Sequence, residues 1–136
     1  MNRKYGVLLL LLLPLLALAQ PSALKDSLQK ALLLSREDTA RVELLYELGM
    51  QVENNSPEEA KYYYHQGGVL SERLGYKMGQ LKYYSNYTAI LNMQARYDSG
   101  ILLNQQALAL AERYALPDRI GVAQHNIAAS YTYLED

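Results

Sequence analysis

Leu70, Glu72 and Arg73 recur, letter for letter, 40 residues later as Leu110, Glu112 and Arg113. The echo covers whole segments, EEAKYYYHQGGVLSERLGY at 58–76 and SGILLNQQALALAERYAL at 99–116. Small residues answer small ones: Ala60 and Gly100, Gly67 and Ala107, Val69 and Ala109, Ser71 and Ala111. At the same spacing Asn86 answers Asn126, and Ala89 answers Ala129. A fixed period of roughly 20–50 residues makes a chain stack units, each burying its apolar face on its neighbours. The repeat thus implies a solenoid before any single element is assigned.

Local signals supply the helices. Leu24, Leu28, Ala31 and Leu32 share one face of a short amphipathic stretch. Arg36 to Thr39 reads as a turn, with Asp38 or Thr39 as N-cap of a helix carrying Val42, Leu44, Leu45, Leu48 and Gly49. Ser56-Pro57-Glu58-Glu59 predicts a helix start, with Ser56 capping, Pro57 in the first turn and Glu59 closing a capping box. That helix should run to Leu74, with Gly75 as its left-handed terminator. Further helices are expected over 76–93, from Asp98 or Ser99 to about Tyr114, and over 120–133 with Asp118 as cap. Pro117-Asp118 reads as a break between the last two. No stretch alternates in the two-residue rhythm of a strand. Gly67-Gly68 in mid-helix conflicts with propensity, since each Gly costs about 1 kcal/mol relative to Ala, and close helix packing is the expected reason.

The first residues belong to a different pattern. Asn2-Arg3-Lys4 gives a positive head, Val7 to Leu18 is apolar with Pro14 inside it, and Ala17-Leu18-Ala19 is a small-x-small cut site. Together they predict a secretory signal peptide over 1–19 and export to a periplasmic or extracellular space. The apolar run is shorter than the roughly 20 residues of a membrane span. The rest divides into an N-terminal capping helix at 20–37 and a repeat domain at 38–136, with units 38–77, 78–117 and an incomplete 118–136.

The chain has no Cys, which excludes disulfides, thiolate metal sites and Cys nucleophiles. Its net charge of −1 offers no basic footprint for nucleic acid. Its aromatic residues are 13 Tyr, with no Phe and no Trp, so every large ring carries a polar tip that wants water or a partner. His65 and His125 have no Asp or Glu at helical ligand spacing, and Glu58-Glu59 suits the dipole of a first helical turn. No phosphate loop, nucleophile elbow or HExxH motif occurs. The residues therefore predict no enzyme and no cofactor. Tyr62-Tyr63-Tyr64 and Tyr83-Tyr84 would form a stacking platform only if they faced one way, which helical spacing forbids.

The helix pairs resemble tetratricopeptide repeats, which keep small residues at the eighth, twentieth and twenty-seventh positions. Counting from Leu81, these are Thr88, Gly100 and Ala107, with Asn104 where an aromatic is usual. The first unit offers Gly49, Ala60, Tyr64 and Gly67, and the third Ala128. The resemblance covers 38–136 and is to the longer-period type, since the family's usual repeat is about 34 residues. HEAT-like repeats share the length range but lack this Ala and Gly pattern. The resemblance implies an all-α, right-handed solenoid of antiparallel helix pairs with about two and a half repeats. It also implies a concave groove on the first helices that takes a peptide or helix. The positions facing it are Tyr46 and Met50; Lys82, Ser85, Asn86, Ala89, Asn92 and Met93; and His125, Asn126, Ala129 and Tyr133. The family's carboxylate clamp is not expected, because only Asn86 matches it, while Tyr46, Met50, Val122 and Asn126 hold the other clamp positions.

The expectation is a non-catalytic, exported module that binds a protein or peptide partner. Two alternatives stand beside it. The unit that stops at Asp136 suits the front end of a longer protein, similar to the exported repeat regions of bacterial sensor histidine kinases, which would bring a membrane partner. A structural spacer or homo-oligomerisation element is the other.

Overall fold

The computed structural model describes residues 23–135, so the expected signal peptide lies outside the described residues. Among the described residues there are six helices and no strand. They are α1 (23–34), α2 (Thr39–Val52), α3 (Pro57–Arg73), α4 (Lys77–Met93), α5 (Tyr97–Arg113) and α6 (Pro117–Glu135). From α2 onward each packs on the next, and α2 also touches α4. Turns of three or four residues force antiparallel neighbours. Gly49 meets Tyr64 and Gly67 meets Tyr46 across α2 and α3, and Tyr97 meets Tyr133 across α5 and α6. The result is an all-α helical repeat in which α3 and α5 run the same way on either side of α4.

Helix ends show where local chemistry won and where it lost. Asp38 caps α2, its carboxylate accepting from the Arg41 N–H at 3.1 Å. The Ser56–Glu59 capping box does not form. Glu59 is drawn off by Lys25 of α1 at 2.8 Å, and Ser56 makes no side-chain cap bond. Pro117 opens α6 rather than breaking the chain, and Asp118 lies inside its first turn. The amides of Arg119 and Ile120 both donate to the Leu116 carbonyl, which closes that turn.

Gly75 does terminate α3, at φ +63°. Its N–H reaches the Glu72 carbonyl and the Tyr76 N–H the Ser71 carbonyl, the paired bonds of a Schellman end. The same bonds close α4 and α5, but there Ala95 (φ 54°) and Ala115 (φ 52°) take the left-handed position. An L residue with a Cβ is strained there by about 1–2 kcal/mol. Ala95→Gly and Ala115→Gly should therefore each raise stability by roughly 0.5–1 kcal/mol despite the flexibility Gly adds to the unfolded chain. Urea midpoints of the two variants check this, and a fall in either midpoint would refute the strain.

The core lies between α2, α3 and α4. Val42, Leu45, Tyr46, Leu48, Val52, Ala60, Tyr63, Tyr64, Leu70 and Ile90 form one buried cluster, with Leu28 and Leu32 of α1 against it. Two tyrosines enter it by facing glycines. The Tyr46 ring lies over Gly67 and the Tyr64 ring over Gly49, with ring centroids 6.3 Å apart. The glycines that cost propensity in α3 are repaid by ring burial: Gly67 admits Tyr46, and Gly68 admits Tyr83 of α4. Both tyrosine hydroxyls are satisfied. Tyr46 donates to the Gly79 carbonyl at 2.5 Å, and Tyr64 to the Glu53 carboxylate at 2.6 Å.

Candidate functional site

The face expected to bind is only partly available. Tyr46 is a correction: it is 2% exposed, because its ring fills the space over Gly67 and its hydroxyl is spent on Gly79. Lys82 is tied to Glu43, which also accepts from the Tyr76 hydroxyl at 2.8 Å. The Asn92 side-chain oxygen is buried against Gly100, without a hydrogen-bond partner among the described residues. Tyr133 is exposed, and its ring stacks on Tyr97 at 5.3 Å. Met50, Met93, Ala89 and His125 are exposed, while Asn86, Asn126 and Ala129 are half-buried. Asn126 borders a cavity of about 10 Å³ with Ser85, Asn104 and Arg119, room for about one water. Asn104 beside it is 1% exposed, and its amide nitrogen has no partner among the described residues.

A larger concavity lies on the side of the second helices. A groove of about 720 Å³ opens between α3 and α5, with α4 as its floor. That volume falls within the range of roughly 300–1,000 Å³ in which ligand sites occur. One wall is His65, Gly68, Val69 and Glu72 of α3; the other is Gln106, Ala109, Leu110 and Arg113 of α5. Each set is spaced i, i+3, i+4, i+7, a single face of a helix. The floor is Gln80, Tyr83 and Tyr84, and Tyr114 and Gly75 close one end.

The floor is held in place from below. A Cβ at Gly68 would stand 2.8 Å from the Tyr83 ring, so glycine lets that ring settle against α3. Tyr84 then packs edge-on to Tyr83 at 5.2 Å. Tyr114 donates to the Gln80 amide oxygen at 2.6 Å, and the Gln80 amide nitrogen donates to the Ser71 carbonyl at 3.3 Å. Lys77 stands 4.9 Å over the Tyr114 ring, so this ring attracts cations.

Burial raises the pKa of Tyr83 and Tyr84 above the ordinary tyrosine value, and the Glu72 charge adds to the rise at Tyr84. Both rings therefore stay neutral, and their hydroxyls stay donors, at physiological pH. Glu72 and Arg113 are exposed on opposite walls. Neither takes part in an ion pair among the described residues. The groove thus offers ring faces, amides and one charge of each sign, an arrangement suited to holding a ligand.

None of the groove residues expected from the sequence lines this cavity. The signal that could have found it is the repeat itself, which places Glu72-Arg73 and Glu112-Arg113 at equivalent ends of successive second helices. In comparisons with known proteins, no family model matches the chain and no curated protein sequence matches it.

Proposed function

We propose that this chain is a non-catalytic interaction module, built of tetratricopeptide-like repeats, that seats a peptide segment of a partner protein between α3 and α5. The observation that carries the reading is the groove of about 720 Å³ whose walls are single helix faces and whose floor holds Tyr83 and Tyr84. Rigid aromatic anchors beside amides and charges are the usual composition of protein recognition sites. The opposite face supports the reading less well, because Tyr46 is buried and Lys82 is engaged with Glu43. Export to a periplasmic or extracellular space is part of the same proposal, and the N-terminal pattern of the sequence supports it.

The test is to pan a random-peptide library on the immobilised protein and titrate the selected peptides by fluorescence anisotropy. Tyr84→Ala should weaken binding by at least about tenfold, equivalent to ~1.4 kcal/mol. Peptides that bind Tyr84→Ala as well as the parent would move the site elsewhere. A library that yields no binder would remove the interaction reading.

A further inference from the structure

Each second helix ends its repeat with a Glu-Arg pair, Glu72-Arg73 on α3 and Glu112-Arg113 on α5. Consecutive residues on a helix point about 100° apart, so the two charges leave the helix on different flanks. On α3, Glu72 turns into the groove while Arg73 turns away and pairs with Glu37 at 3.0 Å. On α5, it is Arg113 that lines the groove, while Glu112 does not. The repeat therefore bounds the space between two successive units with the acid of the first and the base of the second. The two charges cancel, so the groove carries a transverse polarity rather than a net charge.

We propose that this polarity selects the partner: the groove takes an amphipathic helix with a Lys or Arg beside its apolar stripe facing Glu72, and an Asp or Glu on the other side facing Arg113. The inference rests on the peptide-binding reading of the same groove. The walls run seven residues from His65 to Glu72 and from Gln106 to Arg113, which is ~10 Å, or about two turns of helix. Two parallel helices over a third leave the place of a fourth in a bundle, and a helix is the element that matches walls of i, i+3, i+4, i+7 spacing. Val69, Leu110, Tyr83 and Tyr84 give its apolar stripe a seat. A segment of uniform charge would meet a like charge on one wall, and a segment with its charges exchanged, lying in the same direction, would meet one on both.

The experiment is a double substitution, Glu72→Arg with Arg113→Glu, which reverses the polarity and leaves the net charge unchanged. Both side chains are exposed, and circular dichroism of the variant checks that the fold is kept. Peptides selected on the parent protein should carry opposite charges flanking an apolar stripe at helical spacing. They should lose at least about tenfold in affinity on the reversed protein, and synthetic versions with Lys and Glu exchanged should regain it. The difference should shrink as salt is raised, because the two charges are exposed. Selected peptides that are weakened by Tyr84→Ala but indifferent to the reversal, or that show no charge pattern, would overturn the inference and leave the peptide-binding reading intact. No selected peptide at all, or binders untouched by Tyr84→Ala, would overturn that reading and this one with it.

Discussion

Gly67→Val is expected to destabilise the protein by about 3 kcal/mol, while Gly121→Ala stabilises it by ~0.5–1 kcal/mol. Both glycines sit inside helices, so propensity alone predicts a gain at each. Space decides the sign. A Cβ at Gly67 would lie 2.5 Å from the Tyr46 ring, and that ring cannot retreat because it is buried, packed against Tyr64 and anchored to Gly79 through its hydroxyl. A Cβ at Gly121 meets nothing within 4 Å among the described residues. Overpacking a filled core costs roughly 1–3 kcal/mol, and a β-branched side chain sits at the upper end. Tyr46 with Gly67, and Tyr64 with Gly49, form one reciprocal joint between α2 and α3, so the loss should be cooperative. Thermal unfolding followed by circular dichroism reads it as a fall of ~10 °C or more for Gly67→Val and a small rise for Gly121→Ala. A rise at both sites, or a stable Gly67→Val variant, would sink the reciprocal packing.

That joint also marks where the sequence could be read and where it could not. The 40-residue period, the helix pairs and the ends at Asp38 and Gly75 rest on chemistry within a few residues, and spacing displays it. The left-handed Ala95 and Ala115 carry no such signal, because alanine reads as a helix former and only the paired bonds that close α4 and α5 force it over. The Ser56–Glu59 box failed because Lys25, more than thirty residues away, offered Glu59 a full charge in place of a backbone amide. Register alone points Tyr46 to the groove face, because it gives the direction of a side chain but not the depth of the packing it meets. Gly67, in a different helix, determined that depth. The candidate groove was hidden for a similar reason. Its walls come from two repeats, and nothing in either repeat alone says that the space between α3 and α5 stays open. Only its flanking charges, Glu72 and Arg113, were written in the repeat.

A core built on tyrosine in place of phenylalanine has a consequence at high pH. The pKa of Tyr46 is pushed up to about 12, chiefly by burial, and that of Tyr64 is raised by burial and then by its bond to the Glu53 carboxylate. Tyr76 is raised chiefly by its bond to Glu43, and Tyr83 and Tyr84 by burial. An unfolded tyrosine loses its proton near pH 10, so above that pH the native state holds more protons than the unfolded one. The stability these groups contribute is fully present below pH 10 and is lost as pH rises toward the folded values. Each native-protonated tyrosine withdraws ~1.4 kcal/mol per pH unit in that window. Tyr46, only 2% exposed, alone accounts for about 2–3 kcal/mol between pH 10 and 12. A domain of this size is stabilised by roughly 5–15 kcal/mol, so several such groups acting together should unfold it cooperatively in that interval. Two spectra check this. Helical circular dichroism should collapse between about pH 10 and 12. Absorbance of the phenolate should rise in two steps, the second coming from the buried rings together with the loss of helix. A single phenolate step near pH 10 with the helices intact would mean that the buried tyrosines ionise in place, and the account of the core would fail with it.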